Sequence, residues 1–307
     1  MLPMKTQSGV RTLGKKENFL GIGKKVSSYS TSQIAVLPVP YEHTVSYGGG
    51  TGRGPRAILD ASRYVEYYDE ELGTELCTKV GIATLPPLPL GKSTDAKAMA
   101  KIYGAVKKLL ADDKFVVVLG GEHTVSQAPI KAHLEKYPDL SVLHFDAHAD
   151  LRQSYEGSRF SHACVMARVC EFMDPARIVQ VGIRALSPEE AEFIRTSGIT
   201  TWYAHQIRAT DDWISPILPK LSQHVYVTFD VDAFDPPIMP NTGTPEPNGL
   251  YWPETMKLLR LVGEQKSIVG CDVVEFAPGK GVQHPDYTAA KLTYKLMNYA
   301  FLNPHTP

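Results

Sequence analysis

The sequence has no strong charge excess and no long apolar run, and both absences argue against common classes of partner. It contains 32 Lys and Arg residues against 33 Asp and Glu residues, so no net positive charge would attract a nucleic acid or an anionic membrane surface. No apolar run approaches the ~18 residues needed to span a bilayer. We therefore expect no nucleic-acid partner and no membrane association.

The sequence also shows no cysteine pairing motif, and its first 30 residues do not have the pattern of a signal peptide. The 4 cysteines form no CxxC pair and no framework spacing, and Cys271, inside an apolar run, is expected to be a reduced, buried thiol. Residues 1–30 are polar and basic and include no apolar signal-peptide core. We interpret them as an N-terminal surface arm, with an organellar transit peptide as the alternative. A cytoplasmic enzyme with a single catalytic domain over residues 31–307 fits these features.

What the sequence does contain is a series of short apolar runs rich in β-branched residues. They are continuous rather than alternating, which is typical of strands buried on both faces. They cover residues 34–39, 115–119, 141–145, 178–183, 225–229 and 268–274. Helical spacing of apolar residues, or a proline suited to a first turn, predicts helices over 96–110, 188–197, 253–262 and 289–302. Strands alternating with helices predict an α/β domain on a mainly parallel sheet.

Four of these predicted strands end in side chains that can bind metals or take part in acid–base chemistry. In chain order the strand ends carry His123; then Asp146, His148 and Asp150; then Asp230 and Asp232; and finally Glu275. Ligands of open α/β sheets bind beyond the carboxyl ends of the strands, and residues two apart in an extended segment share a face. We therefore expect four aspartates and two histidines to converge on one crevice.

A cluster of four carboxylates is costly to bury unless cations compensate it. A mixed imidazole and carboxylate set suits Mn, Zn, Fe or Co, whereas an all-oxygen set would suit Mg or Ca. Six ligands are too many for one open catalytic ion, and they suit two ions about 3.5–4 Å apart that share bridging carboxylates and activate a hydroxide. The pattern predicts a hydrolase with two metal ions.

Three segments resemble the signatures of the ureohydrolase family, which contains arginases and agmatinases. They are residues 120–123 (GGEH), 145–150 (FDAHAD) and 229–236 (FDVDAFDP), and the resemblance extends over roughly residues 34–302. It implies an arginase-like three-layer α/β/α fold and two Mn ions per chain, with Co, Ni or Fe as alternatives. It also implies hydrolysis of a guanidino C–N bond to urea and an amine, and a homo-oligomer, either a trimer or a hexamer.

The resemblance also implies how the metal ligands are shared. His123 and Asp150 would bind one ion, His148 and Asp232 the other, and Asp146 and Asp230 would bridge the pair. A hydroxide between the metals, held by a hydrogen bond to Asp150, would attack the guanidinium carbon.

Two further residues match catalytic positions of the family. Glu275 resembles its guanidinium-binding glutamate, and a planar cation does favour paired hydrogen bonds from a carboxylate. His162 matches the histidine that protonates the leaving amine, a role that suits an imidazole with a pKa near neutrality.

The expected substrate is agmatine, a small cationic guanidino compound that would give urea and putrescine in polyamine biosynthesis. Residues 151–162 and 242–247 resemble agmatinases more than arginases. Guanidinobutyrate, an N-substituted agmatine, arginine and formiminoglutamate remain alternatives, because Asn248 and residues 163–164 and 279–286 depart from the family pattern near the substrate-facing loops. Arg152 and Arg159 are either solvated surface charges or contacts for a substrate carboxylate, which would favour guanidinobutyrate.

Other classes of protein fit the residues less well. A metallophosphoesterase would need a GNH[ED] motif, which is absent from the sequence. A histone-deacetylase-like amidohydrolase would use one zinc ion and fewer carboxylates. A non-catalytic metal-binding homologue would not be expected to keep all six ligands together with Glu275 and His162.

Overall fold

The computed structural model describes residues 9–302, so residues 1–8 of the predicted arm and the last five residues of the predicted domain lie outside the described residues. One sheet of eight strands forms the centre, and all of its pairings are parallel. The strands are β1 (Ile34–Val39), β2 (Ile82–Thr84), β3 (Phe115–Gly120), β4 (Ser141–Phe145), β5 (Ile178–Ile183), β6 (Thr200–Tyr203), β7 (His224–Asp230) and β8 (Ser267–Val274). Their order across the sheet is β2-β1-β3-β8-β7-β4-β5-β6.

Helices cover both faces of this sheet. They are α1 (Lys24–Ser27), α2 (Gly54–Ser62), α3 (Leu76–Val80), α4 (Asp95–Ala111), α5 (Gln127–Lys136), α6 (Val165–Val169), α7 (Pro188–Ser197), α8 (Ala204–Arg208), α9 (Trp252–Gln265) and α10 (His284–Ala300). Successive residues of a strand point to opposite faces, so Ile34 and Val36 pack in the core with α2, α9 and α10, whereas Ala35 and Leu37 pack with α4 and α5. The predicted three-layer α/β architecture is confirmed.

All six predicted strands are present, and the differences lie in elements with a weak apolar signal. The edge strands β2 and β6 were not predicted, because one has only three residues and the other is half-buried along its length. Helix α10 begins at His284 rather than at residue 289. Its first turn contains Pro285 and polar side chains, so the apolar periodicity becomes visible only further along the helix.

The described part of the predicted N-terminal arm packs against the domain. Phe19, Leu20 and Ile22 are buried in the same apolar core as α2 and β2. The backbone N–H of Phe19 donates to Thr84 Oγ1 at 2.9 Å. A surface position is therefore wrong for this apolar stretch, while the division of the chain at residue 30 stays a prediction.

Two predictions from composition can be compared with the structure. All four cysteines are free and Cys271 is buried, which confirms the interpretation of Cys271 as a thiol of the core. Within residues 9–302, each helix is too short or too polar to cross a bilayer.

Candidate metal centre

Four neighbouring strands at the centre of the sheet, in the order β3-β8-β7-β4, carry the predicted site residues. Because these strands are parallel, their carboxyl ends lie along one edge of the sheet. His123 begins a 3-10 turn just after β3, Asp146 follows β4, Asp230 ends β7 and Glu275 follows β8. The structure brings all eight predicted site residues to this edge.

His123 lies at the middle of the cluster and is fully buried. Its Nδ1 atom is 3.0 Å from Asp146 Oδ2, 3.2 Å from Asp150 Oδ2 and 3.3 Å from Asp230 Oδ2. None of these contacts has the geometry of a hydrogen bond, and Nδ1 is a buried atom without a hydrogen-bond partner. A nitrogen lone pair facing three carboxylate oxygens is the arrangement expected around a cation.

The tautomer of His123 follows from the groups behind it. Its Nε2 atom is 3.0 Å from Thr228 Oγ1, and the Thr228 hydroxyl donates its hydrogen to Asp272 Oδ1 at 2.7 Å. Thr228 can therefore only accept from the ring, so Nε2 carries the hydrogen and Nδ1 keeps its lone pair. A partner that fixes the tautomer in this way is usual for metal-binding histidines.

His148 and Asp232 form the second half of the cluster. His148 Nδ1 is 3.0 Å from Asp232 Oδ2 and 3.4 Å from Asp146 Oδ1. The other oxygen of Asp232 accepts a hydrogen bond of 3.0 Å from the backbone N–H of Ala147. Asp146 thus directs one oxygen toward His123 and the other toward His148, as a carboxylate shared by two ions would.

A third histidine, which the sequence analysis missed, contacts the same carboxylate. His144 Nε2 is 2.8 Å from Asp146 Oδ2, and its Nδ1 is 3.0 Å from Gln180 Nε2. The Gln180 amide can only donate there, so His144 Nδ1 accepts and Nε2–H donates to Asp146. His144 lies two residues before Asp146 in an extended strand, and that spacing is the signal that could have identified it.

The protein supplies little compensating charge of its own to this cluster. In the described part of the chain, no lysine or arginine forms an ion pair with the four aspartates. Burial, followed by the charge of Asp146, raises the pKa of Asp150 to about 7, and burial also raises the pKa of Asp230 well above its usual value. Burial opposes a charge on His148, yet Asp232 and Asp146 raise its pKa to about 12. Without a metal the cluster therefore retains protons, which a divalent cation would displace.

Glu275 lies beside the cluster on a strained turn, with φ at 61°. Its Oε1 atom accepts a hydrogen bond of 2.6 Å from the backbone N–H of His123, and burial raises its pKa well above the usual value. Glu275 lines a narrow cleft together with Ser46, Gly243 and His162. Burial lowers the pKa of the His162 imidazole, which favours its neutral form.

A cavity of about 440 Å³ opens next to the cluster. It is lined by three predicted site residues, His148, Asp150 and His162, and by further residues that include Ser46, Arg152, Tyr155, Arg184, Glu190, Thr244 and Glu246. A larger groove of about 880 Å³ lies between α2 and the start of α10. That groove contains none of the predicted site residues, so we assign the chemistry to the smaller cavity.

The two arginines of the substrate loop have different surroundings. Arg159 forms an exposed ion pair with Glu171 and is a surface charge. Arg152 lines the cavity, with its guanidinium 5.1 Å from the centre of the Tyr155 ring and its Nε atom 3.7 Å from Glu190 Oε2. The positive charge of Arg152 is therefore partly matched by a carboxylate of the protein.

The structure also accounts for one departure from the family pattern. Asn248, which replaces the usual glycine, has φ at 67°. Asparagine is among the few residues other than glycine that tolerate this left-handed conformation, so the loop path is compatible with the substitution.

Comparison with known proteins agrees with this geometry. The model of the arginase family matches residues 32–299. The chain is 39% identical over 280 residues to the N(1)-aminopropylagmatine ureohydrolase of Synechocystis sp., covering 89% of this chain and 91% of that protein. It is 37% identical over 258 residues to the agmatinase of Bacillus cereus, covering 83% and 87%. The agmatine ureohydrolase structure of Thermoplasma volcanium superposes with a TM-score of 0.82 at 27% identity, covering 96% of both chains, and confirms the predicted fold.

Proposed function

The chain belongs to the arginase family and is a hydrolase of amidino groups, and from this premise we propose that it is a manganese ureohydrolase. We propose agmatine as its substrate, with urea and putrescine as products. The observation that carries the proposal is the buried His123 Nδ1 atom, which faces three aspartate oxygens at 3.0–3.3 Å and lacks a hydrogen-bond partner. A buried lone pair among acidic oxygens is unfavourable unless a proton or a metal cation is bound there, and a divalent ion would displace the proton.

The donor set fits a pair of divalent ions. We assign His123 and Asp150 to one ion, His148 and Asp232 to the other, and Asp146 and Asp230 to both. The mixed nitrogen and oxygen set, rich in carboxylates, favours Mn among the divalent metals. When bound, the metal pair would supply a water activated for attack near neutral pH.

The remaining steps fall to side chains of the cleft. The Glu275 carboxylate would receive the planar guanidinium and align its carbon with the metal pair, because paired hydrogen bonds between these groups are strong. Asp150 would hold the attacking water by a hydrogen bond and so orient it toward the guanidinium carbon. His162, which lines both the cleft and the cavity, would donate the proton that the leaving amine requires.

The cavity wall favours a substrate that ends in an amine. Glu246 lines the cavity, and within residues 9–302 its carboxylate forms no ion pair, so it can accept a substrate ammonium group. A substrate carboxylate would need a free cation instead. The guanidinium of Arg152 already lies near Glu190, and that of Arg184 donates to the backbone carbonyls of Asp232 and Glu246. These charges favour agmatine over guanidinobutyrate and arginine.

A second candidate is N(1)-aminopropylagmatine. It carries the same guanidino end and a longer, more positively charged amine end. Relatives that bear its name reach 39% identity, and a cavity of about 440 Å³ that continues to Glu246 can hold a longer chain.

Urea release by the manganese-loaded protein tests the proposal. We expect turnover of agmatine or N(1)-aminopropylagmatine, with kcat/KM at least about tenfold above that for arginine or guanidinobutyrate, since a buried charge mismatch costs more than 1.4 kcal/mol. Protein stripped of metal is the control and should release no urea. Preferential turnover of guanidinobutyrate would overturn the amine-end assignment, and urea release by the stripped protein would overturn the metal mechanism.

A further inference from the structure

Glu122 is a fully buried carboxylate that joins the loop after β1 to the turn bearing His123. Its Oε2 atom accepts the backbone N–H groups of His43 and Thr44, each at 2.7 Å. Its Oε1 atom accepts the hydroxyls of Thr44 at 2.9 Å and Thr124 at 2.8 Å. In the described residues no lysine or arginine pairs with it, so hydrogen bonds alone hold this carboxylate in place.

The Thr44 hydroxyl connects Glu122 to His162. Thr44 Oγ1 lies 3.0 Å from the backbone nitrogen of His162 and 3.3 Å from its ring Nδ1 atom. The hydroxyl has only one hydrogen to donate, and a carboxylate oxygen at 2.9 Å is a better acceptor than a ring nitrogen at 3.3 Å. Thr44 therefore donates to Glu122 and accepts from His162.

This direction of hydrogen bonding determines the tautomer of His162. Two hydroxyls lie near the ring Nδ1 atom, Thr44 Oγ1 at 3.3 Å and Ser161 Oγ at 3.5 Å. Thr44 is the nearer one, and it accepts from both the backbone nitrogen and Nδ1 of His162, so Nδ1 carries a hydrogen. The neutral ring then has its lone pair on Nε2, the atom on the side of Ser46, whose Oγ lies 3.5 Å away. Ser46 lines both the narrow cleft beside Glu275 and the cavity of about 440 Å³ next to the cluster. Nε2 is therefore the nitrogen oriented toward the space in which we place the substrate.

We propose that Thr44, itself held by Glu122, is a positioning residue that fixes His162 in the tautomer with hydrogen on Nδ1. This rests on the proposed function, in which His162 protonates the leaving amine. In that step the bond between the guanidino carbon and the leaving nitrogen breaks. For this step the Nε2 lone pair first takes up a proton from solvent, which gives the imidazolium with hydrogen on both ring nitrogens. The electron pair of the broken bond stays on the leaving nitrogen, which takes the Nε2 proton, and the ring returns to its neutral form with hydrogen on Nδ1. A ring with hydrogen on Nε2 alone would instead turn its lone pair toward Thr44, away from the substrate.

A pair of substitutions at Thr44 tests the kinetic consequence. Thr44→Val keeps the shape but removes the acceptor, and we expect kcat to fall by about 10–100-fold with KM changed less than about threefold, a part of the ~10²–10⁴ that general acid catalysis contributes. Thr44→Ser keeps the hydroxyl and should retain most of kcat. Thr196→Val, which removes an exposed hydroxyl bonded to the Glu192 carbonyl, is the matched control. A valine variant with unchanged kcat, or an equal loss in the serine variant, would overturn the proposal.

A double substitution distinguishes a positioning role of Thr44 from a general disturbance of the site structure. In the His162→Ala background, Thr44→Val should cause no further loss of kcat, because its effect acts through the missing ring. An additional loss equal to that in the wild type would show that Thr44 acts by another route.

An NMR measurement tests the tautomer without relying on turnover. In protein with ¹⁵N-labelled histidine and a diamagnetic divalent ion in place of Mn²⁺, the ring signals that vanish in His162→Ala identify His162. We expect the neutral wild-type ring to show a protonated Nδ1, and the Thr44→Val ring to populate the other tautomer. A wild-type ring with hydrogen on Nε2 would refute the proposal, even if the proposed substrate is correct. Conversely, a protein that hydrolyses no guanidino compound could still show the expected tautomer.

Discussion

Two clusters of charged residues in this chain are balanced in different ways. The first, which we call the lysine cluster, consists of Asp69, Glu71, Arg260, Lys295 and Tyr299. Lys295 Nζ lies 2.8 Å from Asp69 Oδ2 and 3.0 Å from Glu71 Oε2. Arg260 and the Tyr299 hydroxyl complete the partners of Glu71. The second, the metal cluster, consists of the six proposed ligands His123, Asp146, His148, Asp150, Asp230 and Asp232.

The pKa values of the carboxyl groups show the difference. Burial would raise the pKa of Glu71, but hydrogen bonds from Tyr299, Arg260 and Lys295 lower it to about 2. Burial raises the pKa of Asp150 to about 7, because the nearest charge is another aspartate. A carboxylate that the chain neutralises with its own cations is structural. A set of carboxylates without such cations is, in our proposal, a binding site for external ones.

The strongest test of this difference between the two clusters alters the metal cluster alone. Asp232→Asn removes a negative ligand, so we expect loss of metal and a fall in urea release of more than about 10³-fold, equivalent to several kcal/mol of transition-state stabilisation. The free energy of unfolding of the metal-free protein should change little. Metal analysis and urea assays check this, and unchanged urea release would contradict the two-metal mechanism.

The reciprocal change removes the internal cation of the lysine cluster. Lys295→Met leaves Asp69 buried without its partner, and we expect the free energy of unfolding to fall by about 3–5 kcal/mol. The folded fraction should keep its metal content and its activity. Arg260→Met is the control: its ion pair with Glu71 is 40% and 30% exposed, so the loss should stay below about 1 kcal/mol. Denaturant unfolding measures both, and equal losses would remove the distinction between buried and exposed pairs.

His144 contacts the metal cluster without being one of the proposed ligands, and it tests how far the surroundings of the cluster affect metal binding. Its Nε2–H bond to Asp146 should orient this carboxylate, which we propose as a ligand of both ions, so His144→Phe is expected to weaken Mn binding by about 10–100-fold. His144→Gln, which can still donate from a similar position, should recover part of the affinity. Isothermal titration with Mn measures both variants, and wild-type affinity in the phenylalanine variant would mean that His144 only fills space.

Acidity should affect the two clusters differently. In the metal-free chain the pKa values of Asp150 and His148 are raised to about 7 and about 12. Protons therefore compete with the metal below those values, and the competition grows as the pH falls. We expect the apparent Kd for Mn to rise about tenfold for each unit between pH 8 and pH 6, since binding releases at least one proton.

The lysine cluster provides the reference over the same range. Glu71 has a pKa of about 2, so it stays ionised throughout. Its contribution to stability is complete above the unfolded value of about 4.3 and is lost only as the pH falls toward 2. An affinity for Mn that is independent of pH would contradict the account of the metal cluster.

The sequence was sufficient to predict the sheet and the convergence of the site residues. Continuous apolar runs identified six strands, and polar residues directly after those runs, such as His123 and Asp146, meet because parallel strands end at one edge. Their proposed roles come from family resemblance and remain to be tested.

Other parts of the site could not be predicted, for physical reasons. Asp272 lies within an apolar strand, where a polar residue gives no spacing signal of its own. Thr44 and Glu122 are 78 residues apart and meet only through the tertiary fold. The basic character of the first 30 residues concealed Phe19 and Leu20, whose apolar side chains join the core.

The most direct test of the central claim is a titration of metal-free protein with Mn²⁺ in which bound metal and urea release from agmatine are measured together. A cluster of carboxylates without its own cations should bind two ions per chain, and full activity should require both. Activity that is complete with one ion per chain, or that persists without metal, would contradict the account.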